Sequence, residues 1–257
     1  MVVSVASARA GRFVSATHYT QVLWTDAAGC DHYRRADRRA RSVIPADARM
    51  RRKGVQYPGA PLHRDHMSTT MGRTVWCESG LEETAMLLAD RDPRVVAYAA
   101  QTVEFVWPMN SDKASHVVDL IVWRNDGSVQ LIDSHVTFDE DFDAQRSLTE
   151  RACEQIGWEY KVFDGLNIAR ERNLYFLAAD RHWWVVCGRE ALLDRLVDQA
   201  ATPISIADLS VAASPEAPHV ARPVIYYALW CGFLNMNWDR RLTSRTLVHA
   251  TLSMKDL

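Results

Sequence analysis

The chain has 257 residues, 48% of them hydrophobic, and a formal net charge of −2, enough for a full core and two modest domains. No apolar run approaches the roughly 20 residues of a membrane span, and Met1 to Ala10 lack a signal-peptide core, so a soluble cytoplasmic protein is expected. The five cysteines (Cys30, Cys77, Cys153, Cys187, Cys231) never form a CxxC pair, which argues against a zinc cluster or a disulfide framework.

Charge is unevenly placed. Between Arg34 and Arg73 stand eleven Lys or Arg against three Asp or Glu, a local excess of eight positive charges that leaves about −10 over the rest. Arg34, Arg35, Arg38, Arg39, Arg51, Arg52 and Lys53 are the candidate contacts to a nucleic-acid backbone. The same composition also suits a solvated arm.

In chain order, residues 1–16 look like a loose terminus. His18 to Trp24 alternates apolar and polar, Asp26 to Gly29 makes a turn and Cys30 to Arg35 returns, which predicts a hairpin. Ala36 to Gly72 is rich in Arg, Pro and Gly, so mostly loop with one short helix is expected. His63 and His66 in it are half of a metal site or, without a nearby Cys or second His pair, exposed loop histidines. Ser79 is an N-cap with Glu82 three residues on, and Leu81, Ala85, Leu88 and Ala89 share a helical face that ends before Asp92-Pro93.

Val95 to Ala100 and Val103 to Trp107 read as strands. Val117 to Trp123 and Ser128 to His135 read as two more, joined at Asp126-Gly127. Leu148 to Gln155 is amphipathic and Trp158 to Phe163 resembles an edge strand. The order predicts an α/β fold, a mixed sheet flanked by helices. After Asn167, helices are expected over Ala169 to Ala178, Arg189 to Gln199, Ile204 to Val211 and Arg222 to Cys231, the last opened by Pro223. A hairpin of Phe233 to Trp238 with Thr246 to His249 follows, the winged-helix order. The expected organisation is a hairpin and basic arm over 1–72 that belongs with a core over 73–166, then a winged-helix-like domain over 167–257.

The Asp-Gly hairpin brings Asp119 and Asp133 to one end of the sheet. Two carboxylates held close call for a proton or a divalent cation between them, the outline of a metal-dependent phosphodiesterase using Mg²⁺ or Mn²⁺. Glu82 can point at the same strand end from its helix, with Glu78 one turn earlier. His135, two residues after Asp133, projects from the same face and could orient water or stabilise developing charge. The alternative is that Asp119 merely begins a strand, Asp133 and Ser134 form a turn and Glu82 is a surface residue.

At these residues the sequence resembles a known family. Glu82, Asp119 and Asp133-Ser134-His135 match in order the restriction-endonuclease-like PD-(D/E)xK pattern. The wider text resembles the TnsA-like endonuclease subunit of heteromeric transposases, particularly its actinobacterial branch. Carrying segments are Thr70 to Arg73 before Glu78 to Glu82, Leu87 to Val96, Gln101 before Phe105 to Trp107, Ile156 to Tyr160, Asn173 to Leu177, and the tail from Arg222-Pro223 to Thr246-Leu247-Val248. The likeness covers most of residues 18–250.

That resemblance implies a restriction-endonuclease-like domain followed by a helical, winged-helix-like one. It implies a metal-dependent endonuclease that cuts one strand at each transposon end, with Glu82, Asp119 and Asp133 at the metal positions. Its partners would be DNA, a transposase of the RNase H type and an ATPase regulator contacted through the C-terminal part. The sequence departs from the pattern at the lysine, where His135 stands, and none of its four lysines lies within ten residues after Asp133. Asp139-Glu140-Asp141 and Asp143 follow at once, acids that repel a phosphate backbone unless directed away. A nuclease-fold DNA-binding and assembly adaptor without cleavage therefore stands as the alternative, and a repair nuclease on the same fold as a third reading.

Overall fold

The expected N-terminal hairpin is present as β1 (Gln21–Thr25), buried along most of its length, and β2 (Asp31–Arg35), exposed throughout. Asp26 closes its turn by accepting from the Cys30 amide, and Gly29 takes a φ of 93° that suits glycine. The computed structural model describes residues 18–51, 64–108, 115–137 and 139–251. The loose terminus expected over 1–16 lies outside them, as do Arg52, Lys53 and His63. The chain divides into two compact units, Met1–Asp164 and Gly165–Leu257.

In the first unit, the described residues of the stretch expected to be mostly loop include a short 3-10 turn at Arg38–Ala40 and the first strand of a separate hairpin, β3 (Arg64–Met67) with β4 (Thr74–Cys77). Strands of four residues show too little alternation to be read from pattern. Side chains from elsewhere hold them. Asp90, near the end of α1 (Gly80–Arg91), accepts from His66 Nε2 (2.8 Å), Ser68 Oγ (2.7 Å), the amides of Thr69 and Thr70, and Tyr98 Oη. His66 is therefore neither an exposed loop residue nor half of a metal site: it is 2% exposed, and its Nε2 faces Asp90.

The sheet runs β2-β1-β5-β6-β7-β8, with β5 (Val95–Val106), β6 (Ser115–Arg124), β7 (Val129–Ser134) and β8 (Glu159–Phe163). All neighbours are antiparallel except β7 and β8, which are parallel. A crossover helix, α2 (Glu140–Ile156), makes that parallel return possible. It starts eight residues before the predicted Leu148. Asp139 caps it through the Phe142 amide, and Glu140, Asp141 and Asp143 occupy its first turn, where the helix dipole favours negative charge. The acid run after His135 is thus a helix start.

Helices cover both sheet faces. Val129 and Leu131 of β7 point into a core completed by Ala152, Cys153 and Ile156 of α2, whereas Ile132 shares a small cavity with Ala85 and Ala89 of α1. The two strands expected over 95–107 are one continuous β5, whose pairing with β6 is irregular between Val95 and Ala97 and between Ala100 and Val103.

The second unit contains α3 (Ile168–Leu177), α4 (Glu190–Gln199), β9 (Ile204–Ser205), α5 (Ile206–Ala213), α6 (Pro218–Cys231), β10 (Leu234–Met236) and β11 (Leu247–Ala250). The expected C-terminal hairpin is present, and β9 extends it to a three-stranded antiparallel sheet of order β10-β11-β9. Ile204 belongs to that strand, so α5 begins two residues later than predicted. α6 begins at Pro218, which needs no amide partner at a first helical position, and it carries Pro223 inside. No helix among the described residues is long and apolar enough to cross a membrane.

Candidate active site

β6 and β7 pair in regular register from Trp123↔Val129 to Leu120↔Ile132. The next pair in that register is Asp119 with Asp133, and there the ladder stops. On the other side of β6 the pairing is also interrupted: Ala100 faces Leu120 and Val103 faces Val118, so Gln101 and Thr102 both stand opposite Asp119. Gln101 has a φ of 51°, the one positive value at a non-glycine residue among those described. A bulge of this kind ends pairing and re-aims the strand beside it.

The two carboxylates take over where the ladder ends. The Asp119 amide donates to Asp133 Oδ1 at 3.2 Å, and the Ser134 amide donates to Asp119 Oδ2 at 2.8 Å. Asp133, 3% exposed, also accepts on Oδ2 from His116 Nε2 (2.8 Å) and from Tyr160 Oη (2.6 Å). Burial, reinforced by the negative charge of Asp133, pushes the Tyr160 phenol far above its ordinary range, so Tyr160 acts as a neutral donor.

Glu82 reaches this region from the start of α1. It is 7% exposed and forms a capping box: its amide donates to Ser79 Oγ, while its carboxylate accepts from Ser79 Oγ (3.1 Å) and from the Glu78 amide (3.0 Å). His135 continues β7 by donating its amide to the Phe163 carbonyl. Its ring stacks on Phe142 of α2, centroids 4.0 Å apart and planes 13° from parallel.

Glu78, Glu82, Asp119, Asp133 and His135 line one cleft of about 620 Å³, together with Ser79, His116, Ser134, Phe142 and Gln145. The five side chains named for this site from the sequence, Glu78 among them, all line it. His116 and Tyr160 were missed. His116 lies an odd number of residues from Asp119, so strand periodicity did not tie it to the pair. Tyr160 reaches Asp133 only through the parallel pairing of β7 with β8.

The donor chemistry suits a hard divalent cation at two positions. Asp133 Oδ1 accepts only one hydrogen bond among the described residues, and Asp119 faces it across the strand pair. Ser134 Oγ, buried in the same wall, has no hydrogen-bond partner among the described residues. The expected third ligand departs from this set, because Glu82 has a hydrogen bond to each carboxylate oxygen at the helix start. Among the described residues no group of three or more His, Cys, Asp or Glu side chains is arranged to hold a metal ion. Asp119 and Asp133 are the two carboxylates at the broken ladder end, and Glu82 lies on the cleft wall.

Arg34, Arg35, Arg38 and Arg39 are exposed on β2 and the following turn, and Arg35, Arg38 and Arg39 line a shallow hollow with Gln155. Arg51 departs from its expected role at a nucleic-acid surface. Its guanidinium pairs with Glu104 (2.8 Å) and Asp31 (3.1 Å) and donates to Thr25 Oγ1, leaving the side chain 12% exposed. Comparison with protein-family models and with curated proteins returns no match.

Proposed function

We propose that this protein is a metal-dependent DNA endonuclease subunit of a transposon-type system, similar to the TnsA-like family. The observation that carries the reading is that Glu82, Asp119, Asp133 and His135, drawn from a helix, two strands and a strand end, converge on one cleft. Asp119 and Asp133 would hold Mg²⁺ or Mn²⁺. A cation bound there would supply Lewis acidity and lower the pKa of its water. Glu82 would orient the attacking water from the cleft wall, and His135, whose ring stacks on Phe142, would donate to a developing negative charge. Exposed Arg34, Arg35, Arg38 and Arg39 supply contacts for a phosphate backbone.

Other features fit this reading. The sheet with helices on both faces suits a restriction-endonuclease-like domain. The order helix, strand, two helices, two strands from α4 to β11 suits a winged-helix-like unit, through which an ATPase regulator would be contacted. The cut would be made on one strand at each element end, beside a partner transposase of the RNase H type.

A second reading, a DNA-binding and assembly adaptor without cleavage, is favoured by one observation: Glu82 is tied to the helix start and does not join the two aspartates in a metal group. A supercoiled-plasmid nicking assay with Mn²⁺, run alone and with the partner transposase, separates the two. Nicking by the wild type that is lost in Asp119→Ala supports the endonuclease. DNA binding without nicking in either protein supports the adaptor.

A further inference from the structure

We infer that His116 and Tyr160 are positioning residues for Asp133, tying down its Oδ2 so that Oδ1 is the oxygen presented to the cleft. The inference rests on the reading that Asp119 and Asp133 hold a divalent cation.

A carboxylate offers about four acceptor positions, two on each oxygen. Both positions on Asp133 Oδ2 are filled, by His116 Nε2 at 2.8 Å and Tyr160 Oη at 2.6 Å. Among the described residues Oδ1 receives a single longer bond, 3.2 Å from the Asp119 amide, which leaves its second acceptor position for the cleft. The two short bonds come from different strands, His116 from the entry of β6 and Tyr160 from β8, so rotation of the carboxylate must break both at once. Asp133 is 4% exposed at the side chain and His116 10%, and both bonds to Oδ2 are largely shielded from water, which limits how well solvent can substitute for either donor. Donors that grip the outer oxygen of a ligating carboxylate orient it and set its basicity, and removing one typically lowers metal affinity about 10- to 100-fold.

The test uses the full-length protein and Mn²⁺ alone as probe, its uptake followed by loss of the free-ion electron paramagnetic resonance signal. Plasmid nicking is titrated against Mn²⁺ in parallel. His116→Ala and Tyr160→Phe are expected to raise the Mn²⁺ dissociation constant about 10- to 100-fold. Nicking should recover at saturating Mn²⁺, because the change acts on metal binding. His116→Gln, whose amide can still donate to Oδ2, should restore most of the affinity.

Variants that bind Mn²⁺ like the wild type overturn the inference, while the proposed function stands if wild-type nicking persists and is lost in Asp119→Ala. A loss of affinity equal in all three variants and tracking their fall in melting temperature also overturns it, since that pattern marks a merely structural bond. A wild type that neither takes up Mn²⁺ nor nicks with the partner transposase present removes both.

Discussion

Asp119 and Asp133 occupy facing positions at the broken end of the β6–β7 ladder: the Asp119 amide donates to the Asp133 carboxylate, and the amide after Asp133 donates to the carboxylate of Asp119. Side chains thus do at this pair what main chains do along the rest of the strands. Asp119→Asn keeps an oxygen able to accept from the Ser134 amide, so the change in unfolding free energy should stay within about 1 kcal/mol. Removing the charge should nonetheless abolish Mn²⁺-dependent nicking. Urea unfolding and the plasmid assay on the same preparation check both halves.

In the proposed endonuclease reading His135 takes the place of a lysine, and its ring lies against Phe142. His135→Lys places a permanent ammonium at that end of the cleft and should raise Mg²⁺-dependent nicking, since fixed positive charge stabilises the developing oxyanion. His135→Ala should abolish nicking if the imidazole is the working group. Initial rates at fixed pH and saturating metal decide it, and rates unchanged in both variants would assign His135 a structural place only.

The exposed arginines and Arg51 should separate cleanly. Neutralising Arg34, Arg35, Arg38 and Arg39 should weaken binding to any DNA sequence and flatten the dependence of log K on log salt by about 0.9 for each phosphate that no longer has its cation. Arg51→Ala should leave that slope unchanged and destabilise the fold by about 3 kcal/mol, because it strands Glu104, 12% exposed at the side chain, without its own positive partner. Fluorescence anisotropy over a salt series and chemical denaturation supply the readouts.

Asp90 gives the fold an acid-sensitive point. Burial by itself raises its pKa, but hydrogen bonds from His66, Ser68 and the Thr70 amide outweigh that and hold it below the ordinary 3.8. A folded-state pKa below the unfolded one means ionised Asp90 stabilises the protein above the ordinary carboxylate range. That contribution is lost as pH falls below about 3.8 toward the depressed value. Asp90→Asn should cost about 2 kcal/mol or more at neutral pH, since five donors converge on this side chain. It should also flatten the acid limb of the stability curve, measured by urea unfolding from about pH 3 to neutrality.

Local sequence alone determined the elements whose cause is local. Ser79 and Glu82 announce the start of α1 because the capping box is a contact between residues three apart, and Asp126-Gly127 announces the turn between β6 and β7 for the same reason. The facing placement of Asp119 and Asp133 followed from that turn, and the place of His135 beside Asp133 followed from strand period. Only tertiary structure decided what those carboxylates touch. His116 and Tyr160 reach Asp133 across 17 and 27 residues of chain, Asp90 gathers donors up to 24 residues away, and Arg51 is drawn to Glu104 across 53. Such contacts depend on strand order and on which groups burial leaves without water, and neither quantity has a period that a single sequence displays.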